Sequence, residues 1–239
     1  MPESPVQRRF TRFPIVFPLR QRVVGCPPVE PEGGWTRDLS GGGACVELAE
    51  RLRPAVSLRL RIRTDRGAID AEARVVWSGG PSPAGGGILY GVAFTNLAPD
   101  KLEILRNLLL SLRPWRHTRG RVPVDLAVTC QPTRPPGPSL RGRVESLSRG
   151  GLSLRLSEAL PPLTGLEVTL PTPTGSLTLA GTIAWVEPRE KRKSGAAVQH
   201  GVRFTALDWP TALALARFLT EPLESPHLPP SSGVSTTSH

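Results

Sequence analysis

Two short segments hold the residues best suited to chemistry. The first, Arg8-Arg9-Phe10-Thr11-Arg12, concentrates guanidinium groups ahead of the first apolar run. A guanidinium is a planar fork that donates paired hydrogen bonds to phosphate oxygens and stacks its face on a ring. Arg8 and Arg12 stand four apart and can grip one anion from two sides, with Arg9 as a helper. The second segment is Asp38-Leu39-Ser40-Gly41-Gly42-Gly43. Asp38 supplies a carboxylate able to accept from N–H groups such as those on a guanine edge, and Ser40 adds a small donor and acceptor. The glycines permit positive φ and let backbone N–H groups approach a ligand closely. Taken singly, the segments read equally well as a basic lead-in and an ordinary turn. Together they are more specific, because the stretch from Arg12 to Asp38 has room for a strand, a loop and a returning strand. That path brings both segments to the same end of a barrel.

The positioning elements follow from periodicity. Val56-Ser-Leu58-Arg-Leu60-Arg-Ile62-Arg alternates strictly, so its aliphatics share one face and Arg59, Arg61 and Arg63 the other. Ala44, Val46 and Leu48 alternate with Cys45 and Glu47, and Leu152, Leu154 and Leu156 alternate with Ser153 and Arg155. Each pattern predicts a strand with one buried face. Further strands are predicted over 68–77, 88–94, 177–186 and 197–204, separated by Gly, Pro or Ser breaks. Two amphipathic helices are predicted. One spans 99–112, with Leu102, Leu105, Leu108, Leu109 and Leu112 on its stripe. The other spans 209–219, with Ala212, Leu213, Ala216 and Leu219 on its stripe and Asp208 as N-cap. The loop 79–87 is expected to be a mobile hairpin tip, and the charged run 187–195 a solvated loop.

The landmarks occur twice. Arg12-Phe-Pro14 meets Arg121-Val-Pro123, Leu39-Ser40 meets Leu147-Ser148, Gly43 meets Gly151, Trp77 meets Trp185, and Gly91 to Phe94 meets Gly201 to Phe204. The offset stays between 108 and 110 residues, the mark of a duplicated module. Strands followed by one helix in each copy predict a mainly β chain made of two barrels, each with a C-terminal helix packed on it. The expected boundaries are 1–113 for the first module, 114–222 for the second and 223–239 for a disordered tail.

Composition narrows the function. A formal charge of +10 favours an anionic partner. Three widely spaced cysteines, Cys26, Cys45 and Cys130, show no pairing motif and suggest a reducing compartment. No stretch approaches the roughly 18–20 apolar residues of a membrane span, and residues 1–10 lack the apolar run of a signal peptide. A cytoplasmic location is therefore expected. The histidines are His117, His200, His227 and His239; no Cys/His cluster has metal-ligand spacing, and neither a P-loop nor a Gly-x-Ser-x-Gly elbow is present. A non-catalytic protein without metal or cofactor is expected.

With Arg8-x-x-x-Arg12 followed by Asp38-x-Ser40-x-x-Gly43, residues 8 to about 113 resemble the PilZ domain family. Arg74-Val-Val-Trp77 and Tyr90-Gly-Val-Ala-Phe94 are similar to that family's strand pattern, and residues 117 to about 221 resemble it more loosely. The resemblance implies a six-stranded antiparallel β-barrel that binds cyclic di-GMP. It also implies that Arg8 and Arg12 hold phosphates and stack on guanine, that Asp38 and Ser40 contact the base edge, and that Gly43 shapes the turn. The second copy departs from the pattern: His117 stands in place of Arg8 and Ser146 in place of Asp38, while Arg121, Ser148 and Gly151 are kept. It is expected to bind nucleotide weakly or not at all, and to pack against the first copy or hold a protein partner. The expected mechanism is a switch in which ligand orders the Arg8–Arg12 segment and alters a partner-binding surface. The alternative is a basic barrel that binds nucleic acid or a protein partner without nucleotide.

Overall fold

The computed structural model describes residues 10–25, 32–82, 86–112, 120–173, 175–191, 195–205 and 207–221. Arg8, Arg9, Cys26, His117 and the expected tail lie outside these residues. Within them the first module forms β1 (Pro18–Val23), β2 (Glu32–Ser40), β3 (Gly43–Leu48), β4 (Ser57–Thr64), β5 (Gly67–Pro81), β6 (Ile88–Leu97) and α1 (Pro99–Ser111). The second forms β7 (Val122–Arg134), β8 (Leu140–Ser148), β9 (Gly151–Leu156), β10 (Gly165–Thr172), β11 (Gly175–Val186), β12 (Val198–Phe204) and α2 (Trp209–Thr220).

Each set of six antiparallel strands closes into a barrel. The order is β1-β2-β3-β6-β5-β4 in the first and the same order, run from the other end, β10-β11-β12-β9-β8-β7 in the second. Inward-facing aliphatics fill each barrel, Leu58, Leu60 and Ile62 from β4 among them, and Val168, Leu170 and Leu179 in the second. The duplication extends to backbone irregularities. A register shift lies between Thr36 and Asp38 on β2 and between Val144 and Ser146 on β8. Others precede Trp77 and Trp185. Beside those tryptophans, a Cβ on Gly91 would lie 1.8 Å from Trp77 Nε1, and one on Gly201 2.0 Å from Trp185 Nε1. Each indole therefore lies flat on a strand at the one residue that leaves room.

The two helices do different work. α1 packs on β5 of its own barrel, burying Leu105 and Leu108. α2 starts at Asp208, whose carboxylate accepts from the Thr211 N–H at 2.9 Å, the capping arrangement that Asp favours. It packs on β11 of its own barrel and also on β1, β2 and β4 of the first. The predicted stripe on α2 is thus too narrow: Leu215 and Phe218 are buried with Ala212, Ala216 and Leu219, because the helix is covered from two sides. Gly33 of β2 makes room for it, since a Cβ there would meet Leu213 O at 2.9 Å. Trp35 of β2 is fully buried among second-barrel residues, and its indole N–H donates to Ala212 O at 3.0 Å.

A second expectation changes for the same reason. β3 was expected to bury one face, yet it is buried along its whole length, and Glu47 has no exposure. On its outer face, Glu47 is held by Arg149 of the second barrel, and Cys45 lies behind Asp38. One side of the hairpin end at 79–87 is packed: a Cβ on Gly86 or Gly87 would collide with the Trp209 ring, whereas Gly79, Gly80 and Pro81 are exposed. Among the described residues, no helix is long and apolar enough to cross a membrane.

Candidate functional site

The lead-in to β1 is fastened to β2 by its backbone. Phe13 N–H donates to Leu39 O at 2.8 Å and Leu39 N–H to Phe13 O at 2.9 Å. Thr36 adds a side-chain stitch: its hydroxyl donates to Ile15 O and accepts from the Phe17 N–H. These bonds set Arg12 beside the β2–β3 turn, with Arg12 Nη1 3.7 Å from Asp38 Oδ2. The other carboxylate oxygen, Asp38 Oδ1, accepts from the Cys45 N–H at 3.0 Å, which fixes the plane of the carboxylate. The Ser40 hydroxyl donates to Gly43 O at 3.0 Å and closes the turn. A Cβ on Gly43 would lie 2.1 Å from Val92 O, so only glycine lets β3 approach β6 there.

The structure thus brings together Arg12, Asp38, Ser40 and Gly43 from the predicted set, while Arg8 and Arg9 fall outside the described residues. Arg12 and Asp38 are partly exposed, at 38% and 24% of their side chains, and open to a ligand. The Phe10 ring, itself 54% exposed, lies over Gly41 and Gly42, where a Cβ on Gly42 would sit 2.7 Å from the ring. The glycine run therefore accommodates an aromatic side chain of the arginine segment. Cys45 sits behind Asp38. Burial, reinforced by the Asp38 charge, pushes its thiol up to about 11, which keeps it protonated and unreactive.

The second barrel repeats this frame with altered chemistry. The Ser148 hydroxyl donates to Gly151 O at 3.0 Å, and a Cβ on Gly151 would lie 2.1 Å from Val202 O. Arg121 reaches Ser146 Oγ at 3.3 Å, as Arg12 reaches toward Asp38. A hydroxyl has taken the place of the carboxylate, so this turn lacks a charged acceptor. His200 is a structural residue on β12. Its Nε2 accepts from the Leu160 N–H and its Nδ1 lies 2.9 Å from Val198 O. At the matching place in the first barrel, Tyr90 accepts from the Leu52 N–H and donates to Glu50 O.

One group of charged residues at the junction was not singled out by motif. Glu47 Oε2 takes Arg37 Nη2 at 2.7 Å and also a hydrogen bond from Arg149 Nη1, which comes from the β8–β9 turn. The Arg149 guanidinium lies 5.7 Å from the Trp35 ring centroid and 5.5 Å from that of Trp209, within cation–π range of both. The equivalents of Arg37 and Glu47 in the second copy are Glu145 and Arg155, which pair with the charges reversed. That inversion is visible once the copies are set in register, and is the signal by which the pair can be found. Among the described residues, no group of three or more His, Cys, Asp or Glu side chains could hold a metal ion.

The sequence profile of the PilZ domain matches residues 7–111 and again residues 115–221. No curated protein sequence matches the chain. Among solved structures, the chain is similar to Borreliella burgdorferi PlzA in complex with c-di-GMP, at 14% identity, TM-score 0.34, covering 84% of this chain and 86% of that one. It is similar to the Bacillus subtilis inhibitor of motility MotI/DgrA at 10% identity, TM-score 0.37, covering 85% and 94%. It is also similar to the PilZ domain of Escherichia coli YcgR with c-di-GMP at 16% identity, TM-score 0.34, covering 44% and 91%.

Proposed function

The chain belongs to the PilZ domain family over both of its barrels, and on that premise we propose that it is a non-catalytic cyclic di-GMP effector whose first barrel carries the nucleotide site. The observation that carries this reading is the placement of Arg12 against Asp38 at one barrel end, with the Ser40–Gly43 turn closed beneath them. Asp38 Oδ1 is held by a backbone N–H and Oδ2 faces Arg12, which supports a role for this partly exposed carboxylate in accepting from the N–H edge of a guanine. Arg12 supplies a fork for phosphate and a flat face for the base. Arg8 and Arg9 complete the grip in this proposal, and ligand orders their segment against the barrel mouth. The ordered segment then presents an altered surface to a protein partner.

Ser146 in place of Asp38 supports assigning the second barrel a different task. Its β8–β9 turn is occupied with the first barrel through Arg149. The competing nucleic-acid reading draws less support. In the Arg59, Arg61 and Arg63 row, Arg61 is held by Asp70 through two hydrogen bonds, and Arg59 lies 3.7 Å from Glu72. Much of that charge is compensated within its own sheet.

Calorimetric titration of the full chain with cyclic di-GMP tests the proposal. Saturable binding is expected, weakened at least about tenfold by Arg12→Ala or Asp38→Ala and unchanged by Arg121→Ala. Absence of any heat of binding across micromolar ligand overturns it, and a large loss in Arg121→Ala would show that the second barrel shares the site.

A further inference from the structure

The outer face of β4 and β5 lies across the first barrel from the strands that carry the Arg12–Asp38 site. In the closed order β1-β2-β3-β6-β5-β4, β5 stands opposite β2 and β4 opposite β3. Strand register lays out the side chains of that face. Arg22 of β1, Arg59 of β4 and Glu72 of β5 form one cross-strand row. The next row is Val24, Ser57 and Arg74, since the Val24 N–H donates to Ser57 O and Ser57 pairs with Arg74. All three arginines are exposed, and the one carboxylate in these two rows, Glu72, lies 3.7 Å from Arg59. Arg22 and Arg74 have no ion pair among the described residues. Apolar side chains are exposed in the same place. Val24 and Val76 are 47% and 52% exposed, and the Trp77 indole, flat on Gly91, is 38% exposed.

The second barrel shows that the fold does not require this chemistry. In register, Gln131, Glu167 and Ala180 occupy the row of Arg22, Arg59 and Glu72, and Thr182 stands where the first barrel has Arg74. Ala184 replaces Val76. The same strands close with a neutral and acidic set, so the arginines and exposed valines of the first barrel are not needed to build it.

The chemistry selects the partner. Arginines without internal partners are drawn to an anionic surface. A sheet within a closed barrel offers no free strand edge that a peptide could extend. Single-stranded nucleic acid is bound by aromatic stacking beside basic groups, to which valines add nothing. Exposed valines do gain by leaving water at a lipid headgroup boundary, and tryptophan favours that depth.

We propose that this outer face docks on an anionic membrane surface, with Arg22, Arg59 and Arg74 at the headgroups and Val24, Val76 and Trp77 in the interfacial layer. The Arg12–Asp38 turn, on the opposite wall of the barrel, then faces away from the lipid. This proposal does not rest on the cyclic di-GMP reading.

Co-sedimentation of the full chain with vesicles tests it, using pure phosphatidylcholine and an equal mixture of phosphatidylcholine and phosphatidylglycerol. Binding to the mixed vesicles but not to the pure ones is expected, and it should weaken as salt is raised. Arg74→Ala is expected to weaken binding about fivefold, and Val76→Asp to weaken it as well. Arg189→Ala removes the same charge from an exposed site on the second barrel and is expected to change binding less than about twofold. Brominated phospholipid is expected to quench tryptophan emission, and to quench it less in Trp77→Phe. No binding to the mixed vesicles overturns the proposal, as does unchanged quenching in Trp77→Phe. Equal losses in Arg74→Ala and Arg189→Ala also overturn it, because binding would then report only the net charge of the chain. Duplex DNA that displaces the vesicles, and whose own binding falls in Arg74→Ala but not in Val76→Asp, assigns the face to nucleic acid and overturns it too.

Discussion

Arg149 of the second barrel donates to the carboxylate of Glu47, which lies at zero exposure on the first. The bond joins residues 102 positions apart and shares its acceptor oxygen with Arg37. A buried carboxylate is tolerable only when paired, and removing one member of such a group leaves the others uncompensated. Glu47→Ala strands two guanidiniums and is expected to destabilise the protein by about 3–5 kcal/mol. Arg149→Ala leaves Glu47 with Arg37 and is expected to cost less. Urea unfolding measures both, and Arg149→Ala should also change tryptophan emission through loss of the contacts with Trp35 and Trp209.

The double packing of α2 separates two leucines that the sequence pattern would rank otherwise. Leu215 has no exposure and lies in the second core cluster with Trp35 of the first barrel, whereas Leu213 is only partly buried. Leu215→Ala is expected to cost about 2–5 kcal/mol, and Leu213→Ala clearly less. Equal urea midpoints for the two variants would contradict the placement of the helix between the barrels.

Gly43 tests whether the turn or only its polar groups matters for the site. Gly43→Ala drives a Cβ into Val92 O and is expected to cost about 1–3 kcal/mol, with nucleotide affinity falling although Arg12, Asp38 and Ser40 are intact. Gly80→Ala meets nothing within 4 Å and serves as a control, expected to stay within about 0.5 kcal/mol of the parent. Calorimetry and urea unfolding on the same two variants supply the comparison.

The buried thiols give the protein an alkaline limit. Burial raises Cys45 to about 11, with Asp38 adding to it, and burial alone raises Cys130 to about 12. The folded state therefore favours the protonated thiols. Their stabilising contribution is complete below the ordinary thiol value of 9.0 and is lost as pH rises through the raised values. The urea midpoint should fall between about pH 8 and pH 10.5, and fall less in Cys45→Ala/Cys130→Ala. In a Cys26→Ser background, neither remaining thiol should react with Ellman's reagent until the protein unfolds.

Much of this molecule is legible in its residues. Alternation along 56–63 located β4, and the leucine spacing after Pro99 located α1, because a strand or helix shows its buried side in local order. Asp208 signalled the start of α2 by the same local logic, since a cap concerns only the next few residues. The constant offset between Gly43 and Gly151 exposed the duplication, because close approach of two strands demands glycine at the same place in each copy. Arg12, Asp38 and Ser40 stood out by spacing and converge at one barrel end.

What residue order by itself determined was the repeated frame, its inward faces and the motif residues at its turn. The tertiary structure alone decided what covers the outer faces. Glu47 occupies a position that alternation assigns to the outside of β3, and nothing near it in the chain announces that Arg149 of a second barrel will lie there. Trp35, Arg149 and α2 meet through contacts between distant segments, which no local period encodes. The reversed pairs Arg37–Glu47 and Glu145–Arg155 were present in the sequence throughout. Their consequence appeared only when docking buried the first carboxylate, because the worth of a charge depends on the water and the partners around it.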